Sequence, residues 1–92
     1  MAIIFKSNGD IEEVSPKGKR FTIDELRELI DCNHIEVIGY NMRKGSLVVD
    51  EEGRLRDLPY NPNATIAIRL ELGLVCPIFG TAIWIRKSQM FK

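Results

Sequence analysis

The chain has 92 residues, 45% of them hydrophobic and 28% charged, which is ordinary globular composition for one domain and leaves no room for a second. Thirteen basic and thirteen acidic residues give zero formal charge, so neither a general nucleic-acid binder nor a polyanionic DNA mimic fits, since each needs a strong field of one sign. No apolar run approaches the roughly 20 residues of a membrane span, and the first residues do not form a signal-peptide core. A cytosolic protein is expected, with Cys32 and Cys76 as reduced thiols. A chain this short has a thin core, and pairing with a second copy would cover apolar surface, so a homodimer is expected.

In chain order, Ala2 to Lys6 and Ile11 to Val14 read as strands of a hairpin, with Asn8-Gly9 supplying the positive backbone angles of a tight turn. Ser15 to Arg20 carries Pro16, Gly18 and three cations and reads as a mobile basic loop. Residues 1–20 thus form a hairpin and loop leading into a core of residues 21–92, within one domain of 1–92. Thr22-Ile23-Asp24-Glu25 has the form of a capping box, so a helix starts here, and Ile23, Leu26, Leu29 and Ile30 give it one apolar stripe. Ile35 to Tyr40 reads as a strand, Met42 to Gly45 as a turn, and Leu47 to Val49 as an antiparallel partner ending at Asp50-Glu51-Glu52-Gly53.

Asn61-Pro62-Asn63 marks a second helix start, with asparagine as cap and proline in the first turn. The stretch that follows fits two periods. Ile66, Ile68, Leu70, Leu72 and Leu74 alternate like a strand, while Asn63, Ile66, Ala67, Leu70 and Leu74 make a helical stripe. The cap and the stop at Gly73 favour the helix. Pro77 and Gly80 then lead into a strand over Thr81 to Ile85, where Trp84 is assigned to the core by its alternation with Ile83 and Ile85. The expected fold is α+β, a small antiparallel sheet of short hairpins with two helices packed on it.

The residues that carry chemistry are sparse. Cys32, His34 and Cys76 lack paired zinc-ligand spacing, and although a cysteine, a histidine and an aspartate are present, Cys32 and His34 on one short segment do not show the orienting arrangement of a nucleophilic site. Packing of Cys32 and an interaction of His34 with the last helical carbonyls account for that segment. Asp50, Glu51 and Glu52 sit in one turn without the spacing of a calcium loop, so no metal is expected. No glycine pattern forms a phosphate loop or dinucleotide fingerprint, and neither cofactor nor catalytic residue is assigned. The groups suited to recognition are Tyr40, Asn41 and Arg43 after one strand, Arg54 and Arg56 after the next, then Tyr60, Asn61 and Asn63: rings to stack on a base, amides to read its edge and guanidinium groups to pair with phosphate. Of these, Tyr40, Asn41, Arg43, Arg54, Tyr60, Asn61 and Asn63 are assigned to the site. Against this, capping alone explains the asparagines, and surface charge alone explains the arginines.

Leu47-Val48-Val49-Asp50-Glu51-Glu52-Gly53-Arg54-Leu55, then Leu58-Pro59-Tyr60-Asn61-Pro62-Asn63-Ala64-Thr65 and the final Gly80 to Ile85, resemble the small proteins of phages and mobile elements grouped as domain of unknown function 3846. In that family an acidic residue and a glycine close a hairpin, an Asn-Pro element opens a helix and a glycine precedes a last apolar strand. The resemblance runs from about Phe21 to Arg86. The initial hairpin with its basic loop and the stretch Leu72 to Cys76 depart from the pattern. It implies a phage or mobile-element setting and hence interference with host defence, and supplies no catalytic residues. The leading expectation is a non-enzymatic module that sequesters a nucleotide-like immune signal. The alternatives are a protein-binding inhibitor of a host defence factor, and a small hydrolase using Glu51, Glu52 or His34 as acid or base.

Overall fold

The computed structural model describes residues 2–41, 44–53 and 55–86, with Tyr40 and Asn41 described in their backbone alone. It contains β1 (Ala2–Phe5), β2 (Ile11–Val14), α1 (Ile23–Ile30), β3 (Ile35–Asn41), β4 (Gly45–Asp50), α2 (Pro62–Leu72) and β5 (Ala82–Ile85). The five strands form one antiparallel sheet in the order β2-β1-β5-β4-β3. The N-terminal hairpin is therefore built into the sheet, with β1 paired to β5.

The β1–β2 turn corrects one detail of the sequence reading. Only Gly9 takes a positive φ (101°), with Gly9 N–H donating to the Lys6 carbonyl (3.0 Å) and Lys6 N–H to the Asp10 carbonyl (2.8 Å). The loop is thus three residues long, needing one left-handed residue instead of two. Asn8 serves differently: its Oδ1 accepts from Asp10 N–H at 2.9 Å. In the segment after β2, Lys17 N–H donates to Glu25 at 3.0 Å, which ties that loop to the start of α1.

The capping box is formed in full. Thr22 Oγ1 accepts from Glu25 N–H (3.1 Å) and Glu25 Oε1 from Thr22 N–H (3.2 Å). The Lys17 N–H, then that of Thr22, hold the Glu25 carboxyl below the usual carboxylate range, and partial desolvation opposes them. Leu26 and Ile30 are buried and Leu29 packs beside them, while Ile23 is left largely exposed. The Arg27 carbonyl accepts from Asp31, at a left-handed φ of 62°, and from Cys32. Those last-turn bonds are backbone ones. His34 lies beyond the helix on the exposed surface, its carbonyl accepting from Glu51 N–H at 3.0 Å, so the expected contact of its ring with the helix end is not what closes α1.

The two helices lie on opposite faces of the sheet. On one side, α1 covers Ala2, Ile4, Val48, Ile83 and Ile85; on the other, α2 covers Phe5, Leu47, Val49, Ala82 and Trp84. All four residues of β5 are buried because a helix covers each face of this central strand. Cys32 packs into the first cluster and Cys76 into the second, and the intervening sheet keeps the two free thiols apart. Burial, then the neighbouring Asp50, push the Cys32 thiol up from its usual value.

The stretch after Asn61 is helical, and Gly73 closes it in the left-handed conformation (φ 69°). Its buried side differs from the expected stripe. Ala64 and Ile68 are fully buried, with Ala67 and Leu72 partly so, whereas Ile66 is 54% and Leu70 75% exposed. The reason lies at the N-cap. Asn61 Oδ1 accepts from Ala64 N–H (3.1 Å), while Nδ2 donates to the carbonyls of Phe5 and Gly80 (2.8 Å each). Asn61 N–H also donates to Ile78 (2.7 Å), and Thr65 Oγ1 accepts from Ile78 N–H (2.9 Å). These bonds turn the 61-64-68 side towards the sheet, and a helix apolar almost all round offers no rival preference.

Candidate ligand-binding clefts

The strands decide where the recognition residues stand. Asn41 pairs with Gly45 at one end of the sheet, and Tyr40 precedes it in β3. Tyr60 bridges Phe79, and Asn61 holds Phe5 and Gly80, at the other end. A strand of about six residues, roughly 15–20 Å, lies between the two groups, too far for one small ligand. Arg43 and Arg54 lie outside the described residues, as does Met42 of the expected turn.

Asn61 is 1% exposed and its amide is spent on three backbone partners, so it is part of the framework. Asn63, on the first turn of α2, donates to the Gly9 carbonyl at 3.3 Å and fastens the helix to the β1–β2 turn. Tyr60 remains half exposed, its ring meeting Phe79 edge to face at 5.8 Å.

The acidic turn after β4 is also framework in part. The Asp50 carboxylate is buried; Oδ1 accepts from Glu52 N–H (2.8 Å) and Oδ2 from Arg56 Nη1 (2.5 Å). Arg56 also reaches the Asp31 carbonyl (3.5 Å), joining this turn to the end of α1. Among the described residues no group of three His, Cys, Asp or Glu side chains is placed to hold a metal ion.

Helix α2 leaves part of its sheet face open. It starts at Asn61, above Phe5 and Gly80, and ends near Gly39 of β3, where a Cβ would strike the side chains of Leu72 and Leu74. The helix thus crosses the strands obliquely and leaves a corner of the sheet uncovered on each flank.

The larger cleft, about 410 Å³, lies on the β1 side. Its floor comes from one cross-strand row, since Glu13 pairs with Ile3 and Ile3 with Trp84, together with Phe5 in the next row. Ala67 and Glu71 of α2 form one wall, and Lys44 and Arg86 stand at the end. An apolar, aromatic floor with a few charged groups at the rim is the usual composition of a small-molecule site, and this volume falls within the usual range. The second cleft, about 240 Å³, lies on the β3 side between Ile38, Val49, Ile78 and Phe79, with Glu36 and Glu51 at its rim. A third hollow, about 400 Å³ beside α1, is lined almost wholly by polar and charged groups, of which Arg56 is already engaged by Asp50.

A family model described as Domain of unknown function (DUF3846) matches residues 1–90. The chain belongs to this family. The DUF3846 match takes in the N-terminal hairpin, which the sequence resemblance had set apart, in keeping with the place of β1 inside the sheet. No curated protein and no solved structure matches the chain. No helix among the described residues is long and apolar enough to cross a membrane.

The larger cleft draws on charged residues that sequence reasoning passed over, Glu13, Lys44, Glu71 and Arg86, and on Trp84, which it assigned to the core. Trp84 is buried as expected, yet it also floors the cleft. The available signal was the alternation itself, because Ile3, Phe5 and Trp84 occupy the same phase of adjacent strands.

Proposed function

We propose that this DUF3846 protein is a non-enzymatic binding module that holds a small nucleotide-like molecule in the cleft between α2, β1 and β5. The observation that carries this reading is the pairing of an aromatic and aliphatic floor (Ile3, Phe5, Trp84) with two cations, Lys44 and Arg86, at one end. A planar base has apolar faces for such a floor, and phosphate pairs with guanidinium and ammonium groups. Glu13 and Glu71 supply acceptors for base amino groups or sugar hydroxyls. No bond need be made or broken. In the phage or mobile-element setting that the family resemblance implies, an abundant protein with such a site would lower the free concentration of an immune signal in the host cytosol.

Trp84 is the only tryptophan, so its emission reports on the cleft directly. Titration with a panel of mononucleotides and cyclic dinucleotides is expected to change that emission saturably for at least one member. Arg86→Glu is expected to weaken that binding roughly tenfold or more, the scale of one charge-assisted contact, while Tyr60→Ala leaves it unchanged. Recovery of the nucleotide intact after denaturation separates capture from hydrolysis. A flat emission signal across the panel, or indifference to Arg86→Glu, removes this reading.

A second reading rests on the outer side of α2. Ile66 and Leu70, one helical turn apart, are both exposed there, and Val75 is exposed just beyond the helix end. An apolar stripe of this kind suits a protein partner, a second copy or a host defence factor. Sedimentation of the wild type against Leu70→Glu tests the homodimer, which predicts a dimer that the substitution converts to monomer.

A further inference from the structure

The smaller cleft differs from the larger one in charge and in position. Its apolar walls carry Glu36 and Glu51 at the rim, and its third carboxylate, Asp50, is occupied by Arg56 and the Glu52 N–H. No lysine, arginine or histidine is among the described residues that line it. Glu36 pairs with Val49, and Glu51 lies two residues beyond Val49, just past the end of β4, and lines the same cleft, so the two carboxylates are close to diagonal neighbours. Such neighbours stand roughly 7–8 Å apart, a gap that one cationic head group bridges.

The cleft also opens at a strand edge. β3 is the outermost strand, bonded to β4 on one side and to no described strand on the other. Regular pairing runs from Ile35 to Ile38 and then shifts register before Asn41, with Gly39 at a φ of 63°. The usable edge is therefore the short run Ile35-Glu36-Val37-Ile38, with alternate residues presenting backbone N–H and C=O groups outwards. Edges are commonly protected by lysine. This run carries only a carboxylate, which repels acidic segments and attracts basic ones, and Val37 leaves an apolar spot on the opposite face.

We propose that the β3 edge pairs with an extended, basic peptide segment of a partner protein, a lysine or arginine of which lies in the cleft between Glu36 and Glu51. Backbone pairing with the edge supplies affinity, and the alternating side chains supply selectivity: a basic residue on the α2 side and an apolar residue over Val37. The larger cleft, with its cations and sole tryptophan, takes no part.

The test uses two capped pentapeptides of sequence VKVKV and VEVEV, added to the 15N-labelled full chain while backbone amide shifts are followed. VKVKV is expected to move the amides of Ile35 to Ile38 and Glu51, and VEVEV to leave them in place. The double variant Glu36→Lys with Glu51→Lys is expected to reverse the preference, and N-methylation of alternate peptide amides to abolish binding by removing the backbone pairing. Both glutamates are on the surface, so the variant's unliganded spectrum gives an independent check of its fold. The proposal is overturned if neither peptide moves these amides, if the shifts map to Ile3, Trp84 and Arg86, or if charge reversal leaves the preference unchanged. Concentration-dependent shifts of the same amides without peptide would give the edge to a second copy and likewise overturn it.

Discussion

Helices α1 and α2 lie on opposite faces of one sheet, yet their orientations are specified by different means. In α1 the residues themselves are amphipathic: Leu26, Leu29 and Ile30 share one side, and Asp24, Arg27 and Glu28 stay outside. In α2, apolar residues occur all the way round, and a single buried side chain selects the inner face. Asn61 makes that selection through three hydrogen bonds to the backbone. A distributed pattern tolerates the loss of any one member, whereas a point anchor does not.

The sharpest way to break this comparison is Asn61→Ala. It strips the donors from two buried carbonyls and removes a helix cap, so chemical denaturation is expected to show a loss of about 3–5 kcal/mol. Asn61→Asp keeps the acceptor for Ala64 N–H but loses both donors and places a carboxylate against the carbonyls of Phe5 and Gly80; a comparable loss is expected at neutral pH. Next in size is a pair of substitutions two residues apart. Ile68→Ala is expected to cost about 2–4 kcal/mol, and Leu70→Ala less than about 0.5 kcal/mol, reading out the phase of the helix directly. The reverse order would show that the 66-70-74 side faces the core.

On the α1 side, Thr22→Ala is expected to cost about 1 kcal/mol in the same measurement, because the apolar stripe still holds the helix in place. The smallest effect expected is the pH response of Glu25. Its carboxyl is held low in the folded chain, so its contribution is fully present above the ordinary carboxylate value and is lost as pH falls through the lowered one. Glu25→Gln is expected to flatten that part of the acid limb of a stability-versus-pH curve. An unchanged slope would mean that the cap hydrogen bonds do not depend on the carboxylate charge.

The same contrast explains how far the sequence could be read. Both hairpins, both caps, the Gly73 stop and the antiparallel α+β class follow from local chemistry that lies within a few residues in the chain. The inner face of α2 does not, because it depends on the carbonyls of Phe5 and Gly80, which lie 56 and 19 residues from Asn61. The recognition residues met a similar limit. They were grouped because each follows a strand or precedes a helix, but antiparallel strands carry successive turns to opposite ends of a sheet. Glu13, Trp84 and Arg86 come together only through the long-range pairing of β1 with β5, which no local pattern announces.

The central place of β5 also bears on how the chain is assembled over time. The pairs β1–β2 and β3–β4 are local hairpins whose partners leave the ribosome close together, but neither joins the other until β5 arrives. Both helices likewise lack part of their packing surface until Ala82 to Ile85 are in place. Vectorial synthesis therefore produces two separate half-sheets with unpaired inner edges, and folding becomes cooperative only with the last strand. Ribosome-stalled chains ending before Ala82 are expected to be protease-sensitive throughout, and those extended far enough to release Ile85 to become protected in a single step.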